Sequence, residues 1–287
     1  MRGDDVVAEG WHERAGGPHA EAVALERAGE RARGATAYVT LEPCSHHGRT
    51  PPCADALIEA GIARVVVGST DPTPGRVGLE RLREAGVDVT LVDGEVAFCA
   101  RQQNEAWRVW AEQGRPFVTY KVAIAVDGRV VVPGSRWVTG EESRRLVHEL
   151  RASSDAVAVG TGTVHADAPQ LTARAVDAAR QPRRLAFGRG PLPEESELEL
   201  RPGALEDELY ALGSEGVQSL LLEGGPTLAT SFLRGGLVDK VLVFVAPVLS
   251  GAGPRFLGDL DDPVELRRLE SRAVGSDVLL SAYVHEP

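Results

Sequence analysis

Short apolar segments rich in valine alternate with amphipathic segments along the whole chain. Near the start, segments 35–41, 63–68 and 87–92 have the composition of buried strands, whereas segments 19–32 and 55–60 carry apolar residues at helical spacing. Such an alternation of strands and helices is typical of βαβ units. It predicts a layered α/β domain.

The same alternation resumes after a break that predicts a domain boundary. A polar, helical segment at 94–113 closes the first region, and Gly114-Arg115-Pro116 interrupts the pattern before a new strand begins. We therefore predict two domains, residues 1–113 and 114–287. The elements predicted for the second domain are strands at 117–126, 155–160, 182–187, 217–222, 238–246 and 278–284 and helices at 141–153, 204–213 and 226–234.

Two further local signals concern the second domain. Thr139 and Glu142 have the spacing of a capping box for the helix that begins at Glu141. Residues 181–205 are rich in proline and acidic side chains, and we predict that they form a surface excursion.

Composition limits the class of protein. The 287 residues carry a net charge of -11, with 31 Lys and Arg against 42 Asp and Glu. A polyanion-binding surface needs clustered basic charge, so we expect no nucleic-acid partner, although a small phosphorylated ligand needs only a few local Arg. No apolar stretch has the length of a membrane helix, so no membrane partner is expected. Three Cys are too few for a disulfide scaffold, which favours the cytoplasm.

A candidate metal site lies in the first region. His19, Cys44 and Cys53 supply one nitrogen and two sulfur ligands, the set that Zn²⁺ prefers, and three protein ligands leave a fourth position for water. Glu21, two residues after the histidine, is placed to move a proton without binding the metal. The order H-x-E, then P-C, then a second Cys matches the signature of zinc deaminases. Alone, each residue would be an ordinary surface or core side chain, and Cys99 is given no role.

A candidate anion site lies in the second region. The segment Leu221–Leu228 takes a buried strand into a helix through Gly224 and Gly225, with Pro226 suited to the first helical position. Backbone N–H groups at such a helix start favour a pyrophosphate. A second junction of this kind follows at Gly160–Thr163. Neither contains the G-x-G-x-x-G fingerprint, so a standard dinucleotide fold is not indicated.

Basic and aromatic residues predict a separate phosphosugar site. Arg151 and Arg174 are spaced to bind one phosphate, and Ser135 and Trp137 share a loop nearby in sequence. Taken singly, each Arg would be a solvated surface charge and Trp137 a core residue.

These motifs together resemble those of the bifunctional riboflavin-biosynthesis deaminase/reductases. The segment HAE…EPCSHHGRTPPC is similar to the deaminase half. The reductase half is matched by RPFVTYKVAIAVDG, SRWVTG, HELRASSDAVAVGTGT, DAPQLTAR, LLLEGGPTL and DKVLVFVAPVLSGAG. The resemblance implies an α/β fold class with two three-layer domains, an N-terminally truncated cytidine-deaminase-like domain and a C-terminal dihydrofolate-reductase-like domain.

The resemblance also implies an activity. Zinc-dependent deamination of 2,5-diamino-6-(5-phosphoribosylamino)pyrimidin-4-one would be followed by NADPH-dependent reduction of its ribosyl chain to a ribityl chain. The partner would be this small phosphorylated pyrimidine, and assembly a homo-oligomer through the reductase domain. Two alternatives stay open: a reductase with a non-functional deaminase remnant, and a non-catalytic zinc- and nucleotide-binding sensor.

The resemblance assigns residues to both sites. Zinc ligands fall at His19, Cys44 and Cys53, the proton shuttle at Glu21, and substrate contacts in the first domain at His46 and Arg49. Substrate contacts in the second domain fall at Lys121, Ser135, Arg151, Leu171, Arg174 and Glu223. NADP contacts fall at Ala123, Trp137, Thr163, Asp167, Gly225, Pro226, Thr227, Leu228, Ala229, Thr230 and Ser231. The preference for NADPH over NADH rests on the resemblance, with Arg189 as a candidate contact for the 2′-phosphate.

The chain departs from the family at its beginning. Family members begin well before the position of Met1, with a helix and a strand that lies between strands near Val6 and at Ala35. Without that strand, two rows of backbone groups would lose their partners. We therefore expect that the true N-terminus of the protein lies upstream of Met1; the alternative is a deaminase half with impaired activity.

Overall fold

Two compact units make up the chain. The computed structural model describes residues 1–14, 16–46, 51–73 and 76–287. The first unit comprises Met1–Glu112 and Pro287, and the second comprises Gln113–Glu286. Among the helices of these described ranges, none has the length and apolar character needed to cross a lipid bilayer.

The first unit is built around a parallel sheet with the strand order β1-β2-β3. Its elements in chain order are α1 (Ala20–Ala28), a 3-10 turn (Gly29–Ala32), β1 (Thr36–Leu41), α2 (Cys53–Glu59), β2 (Arg64–Ser69), α3 (Gly78–Glu84), β3 (Asp88–Leu91), α4 (Gly94–Gln102) and α5 (Glu105–Gln113).

Alternation along β2 explains why helices cover both faces of this sheet. Val65 and Val67 are fully buried in a core shared with α2 and α3 through Leu57 and Leu82. Gly68 points to the opposite face, where α4 approaches so closely that a Cβ would come within 2.6 Å of Ala100. Successive strand residues face opposite sides, so the valines and the glycine together create a helix–sheet–helix sandwich. The predicted three-layer α/β class is confirmed.

The second unit contains a larger, mixed sheet with the order β10-β11-β9-β4-β8-β5-β6-β7. The strands from β9 to β7 are parallel, and β11 and β10 add antiparallel at one edge. Its elements are β4 (Phe117–Ala125), α6 (Glu141–Ser153), β5 (Ala156–Gly160), α7 (Thr161–Asp167), β6 (Arg183–Phe187), β7 (Glu199–Arg201), α8 (Leu205–Ser214), β8 (Ser219–Leu222), α9 (Pro226–Arg234), β9 (Lys240–Ala246), β10 (Arg267–Val274) and β11 (Asp277–Tyr283).

The two faces of this sheet are covered by different helices. On one face, Tyr120 and Leu222 pack with Phe232 of α9 and Leu209 of α8. On the other face, apolar residues of the strands pack against α6 and α7. The carboxyl ends of β4, β8 and β5 lie side by side at one edge of the parallel region, which is where ligands bind in open α/β sheets.

Several local predictions were wrong for identifiable physical reasons. The single helix expected at 94–113 is interrupted at Gln103 and Asn104 and forms α4 and α5. Residues 181–205 do lie largely at the surface, but they also include β7, a strand that was not predicted and that pairs parallel to β6 at the sheet edge. The described residues 6–13 form no strand, so the strand implied near Val6 is absent there. Short or edge elements of this kind depend on tertiary partners more than on local pattern.

The predicted capping box at Thr139 and Glu142 was also wrong. The N-cap of α6 is Gly140, and no side chain next to it in sequence caps the helix. Instead, Asp277 Oδ2 accepts hydrogen bonds from Gly140 N at 2.8 Å and from Ser143 Oγ at 2.6 Å. A carboxylate from a distant strand thus satisfies a donor at the start of this helix.

Candidate functional site

The first unit brings one histidine and two cysteines together at the starts of two helices. His19 is the N-cap of α1, Cys53 is the first residue of α2, and Cys44 follows the end of β1. His19 Nδ1 lies 3.2 Å from Cys53 Sγ and 3.6 Å from Cys44 Sγ. The ligand atoms of the three residues all lie within 4.8 Å of one another.

These distances fit a tetrahedral zinc ion. Zn–N bonds of about 2.1 Å and Zn–S bonds of about 2.3 Å at a tetrahedral angle separate the nitrogen and sulfur ligands by about 3.6 Å. The separation between His19 Nδ1 and Cys44 Sγ has this value, and that to Cys53 Sγ is slightly shorter. Three N and S ligands from the protein leave one position of the tetrahedron open, as in catalytic zinc sites.

The surroundings of the cluster favour the thiolate form of Cys44 and raise the pKa of Glu21. The Cys53 side chain and its backbone N–H, 3.2 Å from Cys44 Sγ, both donate to that sulfur and lower the pKa of Cys44 despite partial burial. Burial raises the pKa of Glu21, although its own backbone, Cys53 and His19 act in the opposite direction. A carboxyl group with a raised pKa beside a metal site is suited to exchange protons near neutral pH.

A second carboxylate, Glu42, holds the turn that carries Cys44. Glu42 is buried, and its two oxygens accept hydrogen bonds from Leu79 N at 3.1 Å and Asp71 N at 3.2 Å. Gly78 packs directly beneath this turn, where an added Cβ would lie 1.9 Å from the carbonyl oxygen of Pro43. The segment 76–79 therefore fixes the backbone next to a metal ligand.

Replacing Gly78 by Ala should damage the metal site without touching a ligand. The new methyl group would collide with backbone that cannot move independently of Cys44, a misfit that costs about 1–3 kcal/mol in packed interiors. We expect zinc release, followed with a chromogenic chelator during heating, at a lower temperature than in the unmodified chain. Gly162→Ala is the control, since a Cβ there meets no atom within 4 Å. Equal release temperatures for the two variants would contradict this account.

A large cavity opens beside the cluster. It has a volume of about 710 Å³, and its lining includes His19, Glu21, Cys44 and His46. The predicted substrate contact His46 is thus at the cavity, whereas Arg49 lies outside the described residues. Its volume lies in the range of about 300–1,000 Å³ that is typical of small-molecule pockets, but much of its lining, including Leu25, Ala35 and Ile62, is the apolar core of the first unit.

The lining also includes residues that the sequence analysis missed. Asp71 and Arg76 form an ion pair at 3.4 Å, and Asn104 and Trp107 lie near the interruption between α4 and α5. In the sequence, only the position of Glu42 directly before Pro43-Cys44 could have indicated a role for this region in the site. The hydrogen bonds of Glu42 to residues 71 and 79 could not be predicted from the hydrophobic pattern.

The second unit contains a buried cluster of three charged residues. Glu223 follows β8, and its carboxylate is bound by Arg151 of α6 through Nε at 2.6 Å and Nη2 at 3.0 Å. Lys121 Nζ of β4 lies 3.4 Å from the same carboxylate. The side chains of Lys121, Arg151 and Glu223 are 14%, 13% and 9% exposed. Burial by itself would raise the pKa of Glu223, but Lys121 and Arg151 lower it overall, so the carboxylate is ionised.

Two strand-to-helix junctions meet next to this cluster. The N-cap of α9 is Gly225, with Pro226 at the start of the helix, and an added Cβ at Gly225 would lie 3.4 Å from Thr163 Oγ1 of α7. The two candidate anion-binding junctions are therefore neighbours at the carboxyl ends of β8 and β5. A side chain at Gly224 would meet Leu228 at 3.0 Å, so glycine keeps this turn tight.

The other predicted substrate and NADP contacts of the second unit include both exposed and partly buried residues. Ser135 Oγ bonds to the backbone of exposed Trp137, whose ring is flanked by the guanidinium groups of Arg136 and Arg144. Ala123 is partly buried on β4, and Asp167 is the exposed last residue of α7.

Part of α9 is turned away from the junction. Ala229 is wholly buried in the core, Thr230 Oγ1 donates to Pro226 O, and Ser231 Oγ donates to Thr227 O. The exposed backbone N–H groups of the helix start belong to the first turn. Of the predicted run, Gly225, Pro226, Thr227 and Leu228 therefore lie where a cofactor phosphate can be reached.

Comparison with known families assigns both units. Residues 1–69 match the family described as cytidine and deoxycytidylate deaminase zinc-binding region, and residues 116–280 match the family described as RibD C-terminal domain. The first match agrees with the zinc site predicted from the sequence.

Two proteins that are similar over nearly the full chain are both riboflavin biosynthesis proteins named RibD. The riboflavin biosynthesis protein RibD of Aquifex aeolicus is 38% identical over 96% of this chain and 88% of that protein. The RibD protein of Mycobacterium tuberculosis is 39% identical over 96% of this chain and 86% of that protein.

Solved structures agree with the sequence matches. RibD of Acinetobacter baumannii superimposes with a TM-score of 0.85 at 34% identity, covering 99% of this chain and 90% of that chain. A diaminohydroxyphosphoribosylaminopyrimidine deaminase/5-amino-6-(5-phosphoribosylamino)uracil reductase of Thermotoga maritima gives a TM-score of 0.80 at 33% identity, covering 97% and 88%.

Proposed function

Because the chain belongs to the RibD family of riboflavin-biosynthesis proteins, we propose that its two units catalyse successive steps of one pathway. The first unit would deaminate 2,5-diamino-6-(5-phosphoribosylamino)pyrimidin-4-one, and the second would reduce the ribosyl chain of the product with NADPH. The observation that carries this proposal is the His19–Cys44–Cys53 cluster with Glu21 beside it at the edge of a cavity.

In the deaminase step the chain supplies metal ligands and one proton carrier. A zinc ion bound by His19, Cys44 and Cys53 would supply a Lewis acid that makes a water molecule reactive at neutral pH. Hydrolysis adds the water oxygen to the ring carbon that bears the amino group and releases ammonia. We assign to Glu21 the transfer of a proton from water to the departing nitrogen, which its raised pKa supports.

In the reductase step the chain binds and orients. NADPH, when bound, would supply the hydride for C1 of the ring-opened sugar imine, and water would supply the proton for the imine nitrogen. We propose that the phosphates of NADPH lie at the start of α9, where Gly225, Thr227 and Leu228 present backbone N–H groups next to Thr163. Arg189, exposed just after β6, is our candidate for the 2′-phosphate.

The charged cluster is assigned to the sugar. The Glu223 carboxylate is ionised, because Lys121 and Arg151 lower its pKa. We therefore propose that it accepts hydrogen bonds from sugar hydroxyls and does not donate a proton. Lys121 is the hydrogen-bond donor next to it. The substrate phosphate is assigned to Arg174, whose guanidinium bonds to the neutral amide oxygen of Gln170 and forms no ion pair within the described ranges.

We also propose a location and an assembly. Cys44, Cys53 and Cys99 form no disulfide among the described residues, which supports a reducing cytoplasm. The resemblance supports a homo-oligomer formed through the second unit. Light scattering on the purified full chain tests the assembly, and a monomer mass at micromolar concentration would refute it.

Replacing Cys53 by Ser should remove the metal while sparing the second unit. Serine is a poor zinc ligand, and two protein ligands hold the ion far less tightly than three, so we expect bound zinc to fall from about one ion per chain to a small fraction. Ammonia release from the diaminopyrimidine should stop, whereas NADPH oxidation with the deaminated substrate should continue. Cys99→Ser is the control, because Cys99 is exposed and remote in sequence from the ligands.

The same assays separate the alternatives. A zinc-loaded chain that releases no ammonia but oxidises NADPH would be a reductase with a non-functional first unit. A chain that binds zinc and NADPH and turns over neither substrate would be a sensor. Ammonia release together with substrate-dependent NADPH oxidation supports the two-step enzyme.

A further inference from the structure

The segment 168–175, which follows α7, has an unusual backbone. Ala168, Leu171 and Ala175 have φ values of 42°, 55° and 57°, in the left-handed region that residues with a Cβ rarely adopt. Such conformations persist only where the surroundings fix them. The segment also carries Leu171 and Arg174, two of the proposed substrate contacts. Contacts with the rest of the second unit must therefore fix the backbone of segment 168–175.

Three side chains hold three successive residues of this segment. Arg151 Nη1 donates to Thr172 O at 3.2 Å. The Gln181 side chain forms two hydrogen bonds with the backbone of Ala173: it accepts from Ala173 N at 2.9 Å and donates to Ala173 O at 3.0 Å. The backbone N of Arg174 lies 3.2 Å from His148 Nδ1. The last of these contacts holds Arg174, the residue to which the substrate phosphate is assigned above.

The protonation state of His148 decides which bond its Nδ1 makes. Nδ1 also lies 3.2 Å from Thr172 O, so a ring protonated there would donate to that oxygen, whereas an unprotonated Nδ1 accepts from Arg174 N–H. The charged groups that face the ring are Arg151 on its own helix, Arg174 on the segment and Glu223 after β8. Burial, with Arg151 and Arg174, lowers the pKa of His148 overall, although the contact with Thr172 O and the charge of Glu223 act in the opposite direction. The ring is therefore neutral at neutral pH, and its tautomer protonated at Nε2 is the one in which Nδ1 accepts from Arg174 N–H.

We propose that His148 is a positioning residue of the reductase site, which accepts the Arg174 N–H and so sets the guanidinium that binds the phosphate of the substrate. This inference rests on the proposed reductase function. Arg151 and Arg174 act on the ligand, and His148 acts through Arg174. No family motif quoted for the site assigned His148 a role.

The test compares two substitutions of His148. His148→Leu removes the acceptor, and we expect the KM of the full chain for 5-amino-6-(5-phosphoribosylamino)uracil to rise about 3- to 10-fold, the loss of one hydrogen bond, with kcat within about twofold. His148→Asn restores an acceptor near the Nδ1 position and should return KM to the original value. Arg145→Ala is the control on the same helix, since its side chain is 73% exposed and pairs with Glu149 on the surface.

Substrate binding as a function of pH gives a readout that a purely structural role would not move. Calorimetry without NADPH, between about pH 5 and 8, should show affinity falling in the acidic part as His148 gains a proton. A phosphate monoester itself titrates near pH 6, so the relevant quantity is the difference between the unmodified chain and His148→Asn. The Asn variant should lack the additional fall.

The outcomes are separable. If the unmodified chain does not reduce the substrate, the proposed function fails. If it does, and His148→Leu binds as tightly as the unmodified chain or His148→Asn binds as weakly as His148→Leu, the positioning role of His148 is refuted alone. Identical pH profiles for the unmodified chain and His148→Asn would also refute it.

Discussion

Replacing Glu21 by Gln is expected to lower deaminase turnover by about 10²- to 10⁴-fold, the usual contribution of a positioned acid–base group. Glutamine keeps the size of the side chain and can still form hydrogen bonds, but it cannot accept and return a proton. Glu21 is not one of the three ligands, so the zinc content should stay at that of the unmodified chain. The loss should therefore appear in kcat.

Ammonia release from the diaminopyrimidine measures this effect, and NADPH oxidation with the deaminated substrate shows whether the second unit still works. Glu26→Gln is the matched control, because Glu26 is an exposed residue of the same helix. If Glu21→Gln abolished both activities while its zinc content stayed normal, two independent sites would be the wrong description. A turnover within about threefold of the unmodified chain would remove Glu21 from the mechanism.

The metal site was predictable because its chemistry is concentrated in short motifs. His19 and Glu21 lie together in sequence, and Cys44 and Cys53 follow one strand and begin one helix. Each helix start therefore fixes the position of its ligand locally. The support from Glu42 and Gly78 was not predictable, because it joins residues 37 positions apart through backbone contacts that leave no periodic signal.

In the second unit the fold was easier to predict from the sequence than the site. Its strands and main helices were largely predicted from apolar pattern, since buried parallel strands give strong valine- and leucine-rich runs. The pairing of Lys121 and Arg151 with one carboxylate joins three distant segments; residue type and spacing indicated Arg151, but only the family resemblance indicated Lys121 and Glu223. The cap that Asp277 gives to α6 and the contact of His148 with Arg174 are likewise tertiary, so propensity could not show them.

Replacing Glu223 by Gln should have the largest effect on the second unit. The change would leave Lys121 and Arg151 buried without a counter-charge, and breaking a buried pair in this way costs about 3–5 kcal/mol. We expect NADPH oxidation to be lost, the second unit to unfold at lower denaturant concentration, and ammonia release by the first unit to persist. Glu149→Gln, on the exposed face of α6, is the control.

A double variant separates the electrostatic role of Glu223 from its role toward the substrate. Lys121→Met combined with Glu223→Gln removes one of the two uncompensated cations, so part of the lost stability should return relative to Glu223→Gln alone. Reductase activity should stay absent, because neither the carboxylate acceptor nor the lysine donor is then available to the sugar. Recovery of activity along with stability would mean that Glu223 serves only to balance charge; unchanged stability in the double variant would mean that the buried cations do not cause the loss.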